Sequence, residues 1–242
     1  MKKIIAIAYI LFPFTQILGQ EVIYRGYGNV GRIYNVPNYN IMEVETKGSR
    51  FFNDEKYVPG ELTTIDSVYK KDLTYRYDQI IRVLQVKFPD GKEILLDPRD
   101  VVSFKIFIEN KSFLFERTKL PNGTYEFLQI IYSSPTLRLV RDARKTTKRV
   151  NTFDPYTSAP TGRFDQIEND YRYYIAFDNI NILRRVEVSR KAFANLFPHK
   201  AAKISQLFGI KEFRNDLTVS KLSELMRLLD DILKEKETDK EQ

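Results

Sequence analysis

Two extended runs joined through Pro89-Asp90-Gly91 constrain this chain more than any other stretch. Arg82-Val-Leu-Gln-Val-Lys-Phe88 alternates in character, the tripeptide interrupts it, and Lys92-Glu-Ile-Leu-Leu96 resumes. Proline is preset for the second position of a type I turn, Asp suits the third, and Gly takes the left-handed conformation that closes a three-residue hairpin loop. That loop sets Lys87 opposite Glu93, Val86 opposite Ile94 and Leu84 opposite Leu96, so one face collects apolar pairs and the other a salt pair. A two-residue Asp-Gly turn would instead oppose Phe88 to Glu93 and Leu84 to Asp97, which spoils both faces. Asp97-Pro98-Arg99-Asp100 reads as the next turn, and Val101 to Glu109 and Ser112 to Arg117 as two further strands.

The same chemistry recurs at Leu120-Pro121-Asn122-Gly123-Thr124, which predicts a second hairpin. Tyr125 to Tyr132 is apolar enough to be covered on both faces, and Leu137, Leu139 and Val140 continue the meander. Ahead of Arg82, Glu61 to Lys71 and Leu73 to Tyr77 predict two more strands. Residues 151–170, with two prolines, one glycine and many hydroxyl and acidic groups, read as a long loop. Tyr171 to Phe177 and Ile182 to Val188 flank Asp178-Asn179-Ile180-Asn181 as a last hairpin. Short strands at even spacing argue against an α/β fold.

At Ser189 the apolar period lengthens to about three and a half residues. Ser189 is a helix cap for Ala192, Phe193, Leu196 and Phe197. Pro198 ends that helix and starts another carrying Ala201, Ile204, Leu207 and Phe208, with Gly209 as its exit. Thr218 caps a third, with Val219, Leu222, Leu225, Met226, Leu229, Ile232 and Leu233 inward. Segments so short and amphipathic must pack on each other or on the sheet. The predicted architecture is therefore mainly β with C-terminal helices: an antiparallel meander sheet or open barrel over 20–188, a small helical unit over 189–236 and a charged tail at 237–242.

Lys2 and Lys3, an apolar run from Ile4 to Phe14 and a more polar exit to Gly19 predict an export signal over 1–19. Removing that segment lowers the formal charge from +7 to +5. The expected address is periplasmic, outer-membrane-associated or extracellular, with no transmembrane segment after signal removal. The chain has no cysteine, which excludes disulfides, thiol chemistry and thiolate metal sites, and its length permits a core large enough to do without them. Residues 20–59 are rich in Tyr, Gly and Asn and read as an irregular connection pinned by its aromatics.

Chemistry-bearing patterns are few. His199 is the only histidine and lies beside Pro198 and Lys200. Nucleophile elbows, phosphate-cradling glycine loops and paired-histidine zinc motifs are missing, so no catalytic residue, metal or cofactor is expected. Paired carboxylates are all that a glycoside hydrolase needs. Asp97 with Asp100, or Asp165, Glu168 and Asp170, are the available sets, and a hydrolase using them on the loops of the β domain is the alternative reading. Arg138, Arg141, Arg144, Lys145, Lys148 and Arg149 concentrate positive charge. That cluster is either a site for an anionic ligand or partner, or a strand edge kept from pairing by its charges. It comes with no nucleic-acid motif, and nucleic acid is not an expected partner. An envelope protein or a glycan is, and the oligomeric state is left open.

The run from Lys87 to Phe104, the Tyr-Glu-Phe-Leu-Gln-Ile-Ile strand at 125–131 and the segment from Arg190 to Leu233 with its Phe197-Pro198 resemble a group of exported, β-rich Bacteroidetes proteins with no established activity. The signal ending Gly19-Gln20 is similar to exports of that phylum, and Asp66-Ser67-Val68 resembles its short O-glycosylation sequence. The likeness covers roughly residues 60 to 235. Its motifs are turns and core positions, so it implies an exported β-rich fold and assigns a role to no residue. Together these readings predict a non-catalytic binding or structural module.

Overall fold

The computed structural model describes residues 45–66, 68–69, 72–153, 155–158, 160–177, 182–213 and 217–235. The export segment, the aromatic stretch before residue 45, the turn at 178–181 and the charged tail lie outside the described residues.

Both glycine-closed loops form as their chemistry dictates. Between β6 (Val83–Lys87) and β7 (Glu93–Leu95), the Phe88 N–H donates to the Lys92 carbonyl at 2.9 Å and the Gly91 N–H to the Phe88 carbonyl at 2.9 Å. Gly91 has φ +86°. The register pairs Val86 with Ile94 and Lys87 with Glu93, and Lys87 Nζ meets Glu93 Oε1 at 3.2 Å. Between β9 (Lys111–Lys119) and β10 (Tyr125–Ser133), Leu120 and Thr124 close the loop at 2.8 Å and Gly123 has φ +87°.

Twelve strands share one open sheet. From one end run β1 (Glu45–Lys47), β12 (Pro160–Phe177), β11 (Leu137–Phe153), β10, β9, β8 (Val101–Ile108), β3 (Val58–Thr64), β5 (Thr74–Asp78), β6 and β7. β13 (Arg184–Val186) adds to β12, and β4 (Val68–Tyr69) to β3. β2 (Phe52–Glu55) lies against β5 outside this order. Every pairing is antiparallel except β1 on β12, so the sheet is mixed, and its end strands β1 and β7 do not close into a barrel.

The sheet turns over itself at β3. Val58 and Pro59 pair with β5, whereas Gly60 to Thr64 pair with β8. At the switch a Cβ on Gly60 would lie 2.2 Å from the Lys105 carbonyl oxygen and 2.7 Å from the Tyr75 ring, so only glycine allows the two layers to approach there. Tyr75, Tyr77, Leu84 and Val86 from one layer then meet Phe104, Ile106, Phe115 and Phe127 from the other in a dry core. The Tyr77 ring lies 5.1 Å from that of Phe104 and 5.2 Å from that of Phe115.

On the same face, nearer β12, the helices make a second core. These are α1 (Arg190–Leu196), α2 (Ala201–Gly209) and α3 (Val219–Lys234). Ser189 Oγ accepts the Ala192 N–H at 3.3 Å and Thr218 Oγ1 the Lys221 N–H at 3.4 Å, as the capping residues predict. Pro198 opens a 3-10 turn, Pro198–Lys200. Phe193, Ile204, Leu207, Leu222, Leu225, Met226 and Leu229 bury against Leu137, Leu139 and Ile175 of the sheet. Tyr132 Oη donates to Asp230 Oδ2 at 2.7 Å, and Lys234 Nζ reaches the same oxygen at 2.6 Å.

One expectation is corrected. The long loop placed at 151–170 is mostly strand: β11 and β12 pair from Leu137 opposite Phe177 out to Phe153 opposite Pro160. Its outer half is wet on both faces, so it lacks the alternation that identifies a half-buried strand, and its polar residues look like a loop. Only the inner end of the basic segment is internal to the sheet, where Arg138 to Arg141 pair with β10; Lys148 and Arg149 have β12 alone as a strand neighbour.

Gly60→Ala is expected to destabilise the protein by about 3 kcal/mol, because the backbone oxygen it meets has no rotamer with which to retreat. Gly91→Ala meets nothing within 4 Å and should cost only its left-handed backbone, about 1 kcal/mol. Urea denaturation of both variants measures the difference, and equal losses would contradict the close-approach argument.

Candidate functional site

Strand alternation splits the six cations before any contact is considered. Arg138, Arg144 and Lys148 point to one face of β11, and Arg141, Lys145 and Arg149 to the other. Arg138 is ion-paired with Glu116. Arg144 Nε is 2.8 Å from Asp142 Oδ2. Arg141 is buried at the seam between the two cores, its Nε 3.1 Å from Gln129 Oε1 and its guanidinium 4.3 Å above the Tyr171 ring. Lys145 Nζ donates to the carbonyls of Ser49 and Phe51 at 2.7 and 2.6 Å, and burial holds its ammonium below the usual lysine range. On the exposed ribbon, Arg149 Nε lies 3.3 Å from Asp165 and Lys148 Nζ 3.9 Å from Glu168. These six residues form several local contacts rather than one anion-binding patch.

The inner members belong to a buried charge cluster with a structural cause. β10 pairs with β11 only from Gln129 opposite Arg141 to Ser133 opposite Arg138; beyond that the strands part. The turn after β5 fills the gap. Asp78 Oδ1 accepts the N–H groups of Ile80 and Ile81, each at 3.0 Å, which shapes the turn. Gln79 Nε2 donates to the Ala143 carbonyl at 2.5 Å, and its own carbonyl accepts the Lys145 N–H at 3.3 Å. Gln79 thus replaces the missing neighbour strand. Arg82, at φ +63°, spans the gap: Nη2 is 2.7 Å from Asp142 Oδ1 and Nε 2.8 Å from Glu126 Oε2. Two guanidinium groups balance two carboxylates, so the cluster is a cross-link with no charge to spare.

The carboxylates other than that of Asp100 have contacts of their own. Asp97 Oδ1 accepts the Arg99 N–H at 2.8 Å, and the Arg99 guanidinium beside it holds its carboxyl below the usual range. Asp165 and Glu168 face opposite sides of β12, each near its own cation, and Asp170 pairs with Arg172 at 2.6 Å. Asp100 closes the Asp97 turn through its backbone, its N–H 3.1 Å from the Asp97 carbonyl. His199 is exposed in the 3-10 turn. Among the described residues no cluster of three or more His, Asp or Glu side chains is placed to hold a metal ion, and no helix is long and apolar enough to cross a membrane.

The site with uncommitted polar groups lies elsewhere, where the helical unit meets β12. A groove of about 460 Å³ opens between Tyr173, the segment Val188-Ser189-Arg190, Phe208 at the end of α2, Phe213, Leu217 and Leu222. Its floor is apolar: Phe208, Phe213 and Leu222 are buried. Three polar side chains line it, and the Ser189 hydroxyl is already engaged as the α1 cap. Neither the Tyr173 phenol nor the Arg190 guanidinium has a hydrogen-bond or ion-pair partner among the described residues. An apolar lining flanked by Tyr173 and Arg190 can hold an amphipathic group, and it offers no acid–base pair among the described residues.

Comparison with known protein families, curated proteins and solved structures finds no match for the chain.

Sequence reasoning assigned Phe208 and Leu222 to a helical core and Tyr173 to a strand. It did not single out Phe213, Leu217 or Arg190 for binding. The available signal was that Arg190 follows the cap with no acid in the first turn of its helix.

Asp142→Ala should cost about 3 kcal/mol, since it leaves Arg82 and Arg144 facing each other around a largely dry position; a lowered urea midpoint at unchanged slope is the expected readout. At Asp230 burial opposes ionisation, but Lys234 and the Tyr132 hydroxyl outweigh it and hold the carboxyl below its ordinary value. Its contribution is therefore present above about pH 4, the unfolded value, and lost as pH falls through the folded one. Asp230→Asn should cost stability at pH 7, with the gap to the wild type closing at acid pH in thermal melts.

Proposed function

We propose that this chain is a non-catalytic binding module of the cell envelope or extracellular space, related to the exported Bacteroidetes proteins it resembles, and that its contact site is the groove between β12 and the helices. The observation that carries the reading is the contrast in commitment. Most of the basic segment and of the candidate acids make local contacts within the protein, whereas Arg190 and Tyr173, in the groove lined by Phe208, Phe213 and Leu222, have no hydrogen-bond or ion-pair partner among the described residues. A protein partner is favoured over a glycan. The walls of Phe208, Phe213, Leu217 and Leu222 suit apolar side chains, and a sugar would find few donors and acceptors there. A hydrolase would need two carboxylates sharing a concavity, and Asp165 and Glu168 diverge from one strand.

A photo-crosslinking amino acid placed at Leu217 tests the site against the same group at Val102, an exposed position on β8. In envelope extracts the Leu217 position should give a discrete protein adduct that Arg190→Gln removes, while Val102 gives none. Matching adducts from both positions, or an adduct indifferent to Arg190→Gln, would move the contact site away from the groove.

A further inference from the structure

We infer that β7, the last strand of the folded-over layer, is a receptor edge for an extended segment of a partner protein with apolar residues at alternate positions. This is a second contact surface, on a different part of the sheet from the groove, and it does not rest on the groove reading.

The backbone hydrogen bonds fix which groups of β7 are free. The Lys92 carbonyl accepts the Phe88 N–H at 2.9 Å and the Leu96 N–H donates to the Leu84 carbonyl at 3.0 Å, while Ile94 pairs with Val86. Lys92, Ile94 and Leu96 therefore turn their backbone toward β6, and by alternation Glu93, Leu95 and Asp97 turn theirs away. The strand order ends at β7. Among the described residues no strand takes the N–H and C=O groups of Glu93 and Leu95 or the N–H of Asp97; the Asp97 carbonyl accepts the Asp100 N–H at 3.1 Å. No proline, lysine or bulge interrupts residues 93–97 to blunt this edge.

The free groups specify their occupant. They recur on alternate residues, about 6.8 Å apart, twice the rise of a strand, and another extended backbone presents donors and acceptors at that repeat. Side chains add the pattern. Ile94 and Leu96 are half-buried and pack, with Phe88, on the rim of the aromatic core. Residues set opposite them in an added strand would bury apolar side chains against that rim. Glu93 and Asp97 lie on the other face with Leu95 between them. Hydrogen bonds from Tyr57 to Glu93 and from Arg99 to Asp97 hold both carboxyls below their usual range, so both are charged at neutral pH. A second copy paired antiparallel about Leu95 would set Glu93 against Asp97 twice, a like-charge clash that a different chain avoids.

The test is fluorescence anisotropy with the purified protein and the capped, labelled heptapeptide Lys-Thr-Val-Thr-Val-Thr-Lys. In antiparallel pairing, the sense of the other pairs in this layer, Thr lies opposite Glu93, Leu95 and Asp97, and Val opposite Ile94 and Leu96. N-methylation of the three Thr residues should therefore weaken binding at least tenfold, whereas N-methylation of the two Val residues should leave it within about twofold. Replacing Val by Ser should also cost at least tenfold. Leu95→Pro removes one outward N–H and no bond to β6, a change that edge strands tolerate. It should abolish binding at an unchanged melting temperature, and Leu95→Ala, which keeps the N–H, should retain most of it. The methylated peptides act on the unaltered protein, so they decide the question even where Leu95→Pro misfolds. No binding of the parent peptide, equal effects of the two methylation patterns, or binding insensitive to a folded Leu95→Pro overturns the inference. A dimer in light scattering that Leu95→Pro dissolves, with no peptide bound, assigns the edge to a second copy and overturns it as well.

Discussion

Asp142 sits inside the sheet with no access to water and a guanidinium on each carboxylate oxygen, and the geometry around it depends on that arrangement. Where β10 and β11 diverge, β11 presents backbone groups to a gap, and unpaired buried backbone is costly. The Asp78 to Arg82 turn is the plug. Gln79 takes the backbone of Ala143 and Lys145, and Arg82 ties Asp142 on one side to Glu126 on the other. Apolar side chains would fill the same space with less desolvation, so the cluster is not there for raw stability. Its contribution is positional: charges of fixed sign accept only one placement of the turn, and that placement brings β5 and β6 over β8, β9 and β10.

The two cores follow from this placement. Phe127, Gln129, Arg141 and Leu139 all point to one side of the sheet, by alternation along β10 and β11 and by the pairing of Gln129 with Arg141. The folded-over strands cover the Phe127 end and the helices cover the Leu139 end. Arg141 and Gln129 occupy the seam between them, where neither cover is complete and a buried polar pair satisfies itself. A cation that looked available for a ligand is the joint between two hydrophobic layers.

What could be read in advance was local chemistry. Pro89-Asp90-Gly91 and Pro121-Asn122-Gly123 dictate their loops through a fixed proline φ and a glycine in the left-handed region, and the cross-strand partners follow. Ser189, Pro198 and Thr218 mark helix starts for equally local reasons. The turn at 79–82 has neither proline nor glycine, and Arg82 adopts a positive φ because distant carboxylates hold it there, so the plug was invisible. The six cations read as one cluster because a sequence shows proximity along the chain and hides the face. The groove draws on positions from Tyr173 to Leu222, each of which passes alone for core or linker. Among the described residues Arg190 and Tyr173 have no hydrogen-bond or ion-pair partner there, and only the folded arrangement shows it.

The outermost part of the β11–β12 ribbon has one further implication. Between Lys148 and Phe153 no side chain is buried, so they carry little information about which residue should lie opposite which. The inner part supplies it: Leu139 and Ile175 pack against the helices while Val140 and Tyr174 pack in a separate buried cluster on the other face, and shifting either strand by one place would exchange the two sets. Alignment is decided at the helical end and transmitted outward through the ladder, as the first teeth of a zip decide all the rest. The exposed portion can therefore change its residues freely, so long as it changes no residue count.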